Sequence, residues 1–308
     1  MVWDEVIQLP QKKLNLVLIG EIVIDTIIHK DSLKTSKFIG GSPFNICKNL
    51  TRLKIKNHFF GAVGNDKCGR EVLKQIEKLG IQASINLIDQ KTSSVTVDQT
   101  ISSPLPVFHR SADTHIPLSM SLIEHTANAK LLHFTYWPLS GEPSRQTILS
   151  LLDEANANNT LVGFDPNYHP LLDDDQQSGL KLIKDLIHRV DIIKPSLDDS
   201  IRIFGEKTVE EYLDTYEGLG AKLIFMTLGK DGLVARYKGE TLRMPTMAKV
   251  VVDATGAGDA FWSGLYAGIL KGKTIRESIV LGLTASSYKM KSIGSEFDVS
   301  EFQKHLEG

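Results

Sequence analysis

The segment Val250-Val251-Val252-Asp253-Ala254-Thr255-Gly256-Ala257-Gly258-Asp259-Ala260-Phe261 constrains this chain more than any other. Three β-branched residues read as the end of a buried strand, two glycines bracket a tight turn, and Phe261, Leu265 and Ile269 recur at helical spacing. The expectation is a strand, a glycine turn and a helix start. A helix N-terminus offers unpaired N–H groups and the positive end of the dipole, and glycine lets an anion approach without a Cβ in the way. Asp259 falls in the first turn, where a carboxylate repels a bound phosphate unless it has chemistry of its own. Taking the proton from a hydroxyl that attacks phosphorus is such chemistry. A plainer account also fits these residues, because Asp is common in first turns and Gly-x-Gly turns occur in α/β proteins that bind nothing there.

Spacing separates this stretch from two other phosphate motifs. A dinucleotide fingerprint needs a third glycine at position 261, which is Phe261. A P-loop ending in Gly272-Lys273-Thr274 needs a glycine at 267, where Ala267 stands, so the tripeptide reads as a helix C-cap followed by a new helix start. The run Asp253-Ala254-Thr255-Gly256-Ala257-Gly258-Asp259 instead resembles the C-terminal signature of the ribokinase-like (PfkB) sugar kinases.

Bulk properties are compatible with that resemblance. With 308 residues, 42% hydrophobic and 23% charged, the chain can bury a large core as one α/β domain with an appendage, or as two domains. A formal charge of −2 provides no basic field for nucleic acid and no reason to expect a membrane surface as partner. No stretch reaches the roughly 18 uninterrupted apolar residues of a membrane helix, and the N-terminus lacks a basic patch followed by an apolar run. A cytoplasmic protein is expected. Cys47 and Cys68 lack metal-ligand spacing and should be free thiols, and the nine histidines are equally scattered.

Taken in order, Leu14 to Gly20 has the form of a central strand covered on both faces. Glu21 to Ile28 then places acids among β-branched residues, as if the strand left the core and turned one face toward a polar ligand. On residues alone Asp25 is an exposed strand residue; strand one followed by Gly-Glu and then Asp resembles the fructokinase branch, where this aspartate accepts hydrogen bonds from sugar hydroxyls. Gly40-Gly41-Ser42-Pro43-Phe44-Asn45 reads as an N-cap at Ser42, a proline at the first helical position and a buried helix face at Ile46, Leu50 and Leu53. Adjacent glycines permit close approach, an amide offers both donor and acceptor to a polyol, and the segment resembles the family's N-terminal signature. The resemblance therefore implies Gly41 and Asn45 as sugar contacts. Gly61 to Gly69 reads as a strand end, a loop and a helix running to Leu79, with Gly80 as its cap.

From Ser84 to Arg110, β-branched residues alternate with polar ones and no helical period is present, which predicts strands with one wet face. Together with residues 21 to 38 they predict a small sheet, which in the family is a lid over the sugar and often the surface of a homodimer. Arg110, in a segment resembling the family's aromatic, Arg, Ala-Asp pattern, suits a sugar oxygen or a carboxylate; a surface ion pair is its other reading. Residues 130 to 260 alternate strands and amphipathic helices, the pattern of a parallel sheet with crossover helices. Ligands in such sheets bind at the carboxyl ends of strands, where Asp165, Asn167, Lys194, Ser196 and Thr227 fall. Thr227-Leu228-Gly229-Lys230-Asp231-Gly232 reads as a turn between strands, and its resemblance to the family's Thr-x-Gly-x-x-Gly places Thr227, Gly229 and Gly232 against the nucleotide phosphates.

Two departures from the family stand out. Asp165-Pro166-Asn167-Tyr168-His169 has histidine where an arginine is common, and Ser196-Leu197-Asp198-Asp199 replaces Asn-x-x-Glu, which leaves Asp199 as an indirect partner of Mg²⁺ with shorter reach. The resemblance, from Leu16 to Gly294-Ser295, implies a ribokinase-like three-layer α/β sandwich with a mostly parallel sheet and a β-sheet lid, in one domain over residues 1–308. It further implies a sugar kinase in which Asp259 is the base and the N–H groups of Gly256, Ala257 and Gly258 form the anion hole. Lys194, Ser196 and Gly258 contact the nucleotide, Mg²⁺ rides on the ATP phosphates, and Asp253 and Thr255 hold a monovalent cation such as K⁺. Fructose or a related keto-sugar is the expected acceptor. A polar lid segment from Ser93 to Ser103 without an aromatic residue argues against a nucleoside kinase, 2-keto-3-deoxygluconate would use Arg110, and a silent sensor would keep the fold without needing Asp259.

Overall fold

The computed structural model describes residues 1–28, 34–98, 100, 106–294 and 297–307. The apolar run near the N-terminus forms β1 (Leu14–Ile19), its acid-bearing continuation forms β2 (Val23–Ile28), and β3 (Thr35–Gly40) leads into helix α1 (Ser42–Arg52). Next come β4 (Asn57–Gly64), α2 (Lys67–Leu79), β5 (Ala83–Ile88), β6 (Ser94–Asp98) and β7 (Pro106–His109). Strand and helix then alternate through α3 (Met120–Ala127), β8 (Ala129–Thr135), α4 (Ser144–Ala157), β9 (Leu161–Asp165), α5 (Gln176–Leu186) and β10 (Ile192–Ile193). After α6 (Leu197–Phe204) and α7 (Val209–Gly218), strands β11 (Leu223–Thr227), β12 (Leu233–Tyr237) and β13 (Glu240–Met244) precede helices α8 (Ala257–Leu270), α9 (Ile275–Lys289) and α10 (Val299–Glu307).

Helix ends follow local chemistry. Asp66 caps α2 by accepting from the Gly69 N–H, and Gly80, in the left-handed region, stops it. Thr274 and Glu277 form a reciprocal capping box that starts α9, as expected from the Gly-Lys-Thr tripeptide.

The large sheet has the order β13-β12-β11-β10-β9-β8-β1-β4-β5, parallel from β11 through to β5, with β12 and β13 antiparallel at one edge. Side chains alternate along β1, so Leu16 and Leu18 join a core with α1, α8 and α9, while Val17 and Ile19 join a second core with α4 and α5 on the opposite face. Each large side chain fully buried in these cores contributes about 1.5–3 kcal/mol. The result is a three-layer α/β sandwich.

A separate sheet has the order β3-β2-β6-β7 and supplies the expected lid. Its predicted segments, about 21–38 and 84–110, need one correction: β5 pairs in parallel with β4 at the edge of the large sheet. A half-covered edge strand carries the same apolar–polar alternation as a strand standing off the domain, so the pattern could not separate the two. Residues 29–33, 99 and 101–105 of these segments, and Ser295, lie outside the described residues.

A second correction concerns the expected strand before the glycine turn. Residues 245–256 are an irregular loop, and Val251 is 61% exposed. Cys47 and Cys68 are free thiols. Among the described residues no helix is long and apolar enough to cross a membrane.

Candidate active site

The carboxyl ends of the parallel strands deliver polar residues to one place. Glu21 follows β1, Thr135 and Asp165 end β8 and β9, Lys194 follows β10 and Thr227 ends β11. A cleft of about 460 Å³ lies there, lined by Glu21, Asp165, Lys194 and Thr227 from the large sheet and by Asp25, Phe38, Val95 and Phe108 from the small one.

Two helix starts meet at this cleft. Gly256 occupies the N-cap of α8 with φ +75°, a left-handed conformation suited to glycine, and the turn sets Asp259 facing α1. Asp259 is buried; its Oδ1 accepts from Ser42 Oγ at 2.7 Å and its Oδ2 from Asn45 Nδ2 at 2.8 Å. Ser42 was expected as the N-cap of α1, but Gly41 holds that position with φ +106°, and the serine hydroxyl is directed to the aspartate. A Cβ on Gly41 would lie 2.2 Å from the Glu21 carbonyl oxygen, so only glycine lets α1 begin this close to the end of β1.

Carboxyls dominate the inner wall, and burial raises them. Burial lifts Asp259 above the usual carboxylate range against the opposing hydrogen bonds of Ser42 and Asn45, with Asp165 adding repulsion. Asp25 is pushed up to about 7 by burial and then by the Asp259 charge, with Lys48 opposing. Glu21, whose oxygens accept from the Ser42 N–H and the Thr135 hydroxyl, is pushed up to about 8 by burial. Such a set accepts hydrogen bonds from hydroxyls, and a raised Asp259 is a stronger base than an ordinary carboxylate.

On the far side of Asp259 the chemistry reverses. The N–H groups of Gly256 and Gly258 have no backbone partner among the described residues, whereas the Ala257 N–H donates to the Ala254 carbonyl at 3.1 Å, which corrects the expected trio to two available amides. Lys194 Nζ is 3.0 Å from Asp165 Oδ2, which also accepts from Trp262 Nε1, and a Cβ on Gly258 would lie 3.4 Å from the ammonium. Helix N-terminus and ammonium thus face the same spot. A second cleft of about 530 Å³ opens beyond it, walled by Leu228, Ala248, Val251, Ala254, Phe261, Leu283 and Met290 and edged by Gly229 and Gly232. Both clefts share Ser196, Asp198, Thr227 and Gly258. A polar acceptor pocket and an apolar slot that suits a nucleotide base therefore meet at the start of α8. Of the exposed valines that imitated a strand, Val251 borders this slot.

Other expected residues sit differently. Arg110 does not line the cleft: its guanidinium donates to Asp113, the Ser140 hydroxyl and the Trp137 carbonyl. Asp199 lines the cleft, but its Oδ2 closes the α6 capping box with Ser196 and its Oδ1 accepts from the Tyr168 N–H, which leaves the exposed Asp198 as the freer carboxylate between the clefts. Among the described residues no group of three or more His, Cys, Asp or Glu side chains could hold a metal, so the donors present fit Mg²⁺ only as an ion carried by phosphates and water, with Asp198 at hand. His169 caps a short turn by accepting from the Leu171 N–H, while Arg202, which the sequence pattern did not single out, lines the cleft and donates to the Tyr168 carbonyl. Position 202, in the last turn of a helix with an ordinary apolar period, carries no sequence signal for a ligand.

The expected monovalent-cation site also needs correction. The carbonyl and Oδ2 of Asp253, together with the Ser292 carbonyl, converge on Lys289 Nζ at 2.7, 3.4 and 3.2 Å. Thr255 adds its N–H to Asp253 Oδ1. These oxygens do not fit a free K⁺, because an ammonium already stands among them.

Known proteins share much of this sequence and fold. The family model described as pfkB family carbohydrate kinase matches residues 13–301. An ATP-dependent 6-phosphofructokinase of Thermoanaerobacterium thermosaccharolyticum is 42% identical over 307 residues, covering 97% of this chain and 95% of that protein. A 5-dehydro-2-deoxygluconokinase of Geobacillus kaustophilus is 28% identical over 304 residues, covering 92% and 89% respectively. Among solved structures, the fructokinase of Halothermothrix orenii superposes with a TM-score of 0.79 at 31% identity over 89% of this chain and 98% of that one.

Proposed function

The chain belongs to the pfkB family of carbohydrate kinases, and from that premise we propose that it transfers the γ-phosphoryl group of ATP to a primary hydroxyl of a fructose-type keto-sugar. The observation that carries this reading is the buried Asp259 carboxylate at the junction of a polar and an apolar cleft. In this reading Asp259 takes the proton of the acceptor hydroxyl while the oxygen forms a bond to the γ-phosphorus and the bond to the ADP oxygen breaks. Ser42 and Asn45 hold the carboxylate by one hydrogen bond to each oxygen, so its remaining lone pairs face the acceptor. The Gly256 and Gly258 amides and the Lys194 ammonium receive the charge that develops on the phosphoryl group. A divalent cation carried by the nucleotide would supply further charge neutralisation, and Asp198, with Asp199 through its hydrogen bond to Ser196, would hold its water shell.

The inner wall of Glu21, Asp25 and Asn45 supports an acceptor end made of uncharged hydroxyls, with Phe38, Phe108 and Trp137 against its C–H faces. These aromatic walls withdraw the expected objection to a nucleoside, which rested on the polar segment from Ser93 to Ser103. With Arg110 committed elsewhere, the acid sugar loses the contact expected for it. The relative at 42% identity is named for fructose 6-phosphate chemistry, and this favours the phosphorylated sugar beside free fructose, its phosphate turned away from the carboxyl wall.

Coupled ADP release tests the proposal across fructose, fructose 6-phosphate, 2-keto-3-deoxygluconate and nucleosides, with the product mapped by phosphorus NMR. A fructose-type acceptor with the highest kcat/KM, phosphorylated on a primary carbon, is the expected result. Turnover confined to nucleosides, or none with any acceptor, would overturn it.

A further inference from the structure

Lys289 is the last residue of α9, and its side chain is fully buried. Its ammonium donates to the Asp253 carbonyl at 2.7 Å and the Ser292 carbonyl at 3.2 Å, and it lies 3.4 Å from Asp253 Oδ2. Those oxygens belong to two loops, one entering α8 and one leaving α9. Asp253 passes the constraint on: its Oδ1 accepts from the Thr255 N–H and its Oδ2 from the Gly294 N–H. One residue further on, Gly256 sets the amides that face the phosphoryl site. A lone buried ammonium would be costly, but here oxygens of the protein replace its water. A primary ammonium is also close in size to K⁺ and accepts the same kind of oxygen cage.

We propose that Lys289 is a tethered monovalent cation which fixes the 253–256 turn beneath the anion cradle, so that this kinase works without added K⁺. Lys289 is a positioning residue, acting through Asp253 and the turn. The inference rests on the kinase reading for its turnover arm alone.

The test compares tetramethylammonium buffer with the same buffer containing saturating KCl or NH₄Cl. For the wild-type chain, both thermal melting and ADP release with the best acceptor are expected to be the same in all three. Lys289→Ala empties the cage; its turnover is expected to fall by about 10- to 100-fold in tetramethylammonium, the size of effect seen when groups that orient a charged site are removed. K⁺ or NH₄⁺ should recover part of this loss and raise the variant's melting temperature, whereas Lys289→Met, which fills the space with an uncharged chain, should not be rescued. A merely structural lysine would give variants indifferent to the cation. The proposal is overturned if K⁺ activates or stabilises the wild type several-fold, or if folded Lys289→Ala responds to neither ion. Should Lys289→Ala fail to fold, the wild-type salt response decides. Absence of ADP release in every buffer refutes the kinase reading instead, and the melting comparison still judges the cation.

Discussion

Glu21 offers a stability prediction that can be worked through from geometry. It lies just past β1, is 2% exposed, and is bonded by the Ser42 N–H at the start of α1 and by the Thr135 hydroxyl. Burial raises its pKa from 4.5 to about 8. A raised folded-state pKa means that the folded chain holds a proton which the unfolded chain has released, so the associated stability is full below 4.5 and is lost as pH climbs through about 8. At about 1.4 kcal/mol per pH unit, that rise corresponds to a loss on the order of 4–5 kcal/mol across the window. Glu21→Gln keeps the shape of the protonated acid, accepting from the Ser42 N–H and donating to the Thr135 oxygen, but cannot ionise. Urea unfolding between about pH 5 and about 9 should show equal stabilities at the acid end and a variant several kcal/mol more stable than wild type at the alkaline end. Parallel profiles for the two proteins would refute the reasoning, because the pH slope would then arise elsewhere.

Three further perturbations address the site. Asn45→Ala removes the 2.8 Å hydrogen bond to Asp259 Oδ2; a hydrogen bond to a charged group is worth about 1.5–3 kcal/mol, so kcat/KM should fall by about 10- to 100-fold in steady-state assays. Gly41→Ala places a Cβ 2.2 Å from the Glu21 carbonyl at φ +106°, and chemical denaturation should report a loss of about 2 kcal/mol or more. Lys194→Met removes the ammonium paired with the buried Asp165 carboxylate and keeps its Trp262 indole bond, which should cost about 3–5 kcal/mol in the same experiment and weaken ADP binding in calorimetry.

The parts of the fold that local chemistry dictates were legible in the sequence: the helix stop at Gly80, the helix start after Gly272-Lys273, the buried central strand, and the alternation that builds the parallel sheet. Three features escaped because one-dimensional pattern is blind to what faces an element. Val250 to Val252 carry a strand-like composition, yet Val251 borders a cleft. The strand Ala83–Ile88 alternates like the lid strands but pairs at the edge of the large sheet. Ser42 has the chemistry of a cap, yet its hydroxyl is drawn to a carboxylate 217 positions along the chain. Within the site, Asp259, Asn45, Asp25, Gly41, Gly256 and Gly258 line one cleft; the Ser196-x-x-Asp199 capping box is a local spacing that ties up Asp199, while the contacts of Arg110 with Ser140 and of Asp253 with Lys289 are tertiary facts that no spacing encodes. Lys289 carried no signal, since a lysine at the end of a helix is ordinary.

The central claim is that one carboxylate, buried between α1 and α8, removes a hydroxyl proton beside an anion-binding helix start. Asp259→Asn tests it most directly, because an amide preserves shape and can still meet Ser42 and Asn45 while losing the basic lone pairs. With a productive acceptor, ADP release should fall by about 10²- to 10⁴-fold, equivalent to about 3–5 kcal/mol of barrier, with the ADP dissociation constant unchanged by calorimetry. A variant that turns over within a factor of about ten of wild type would contradict the account.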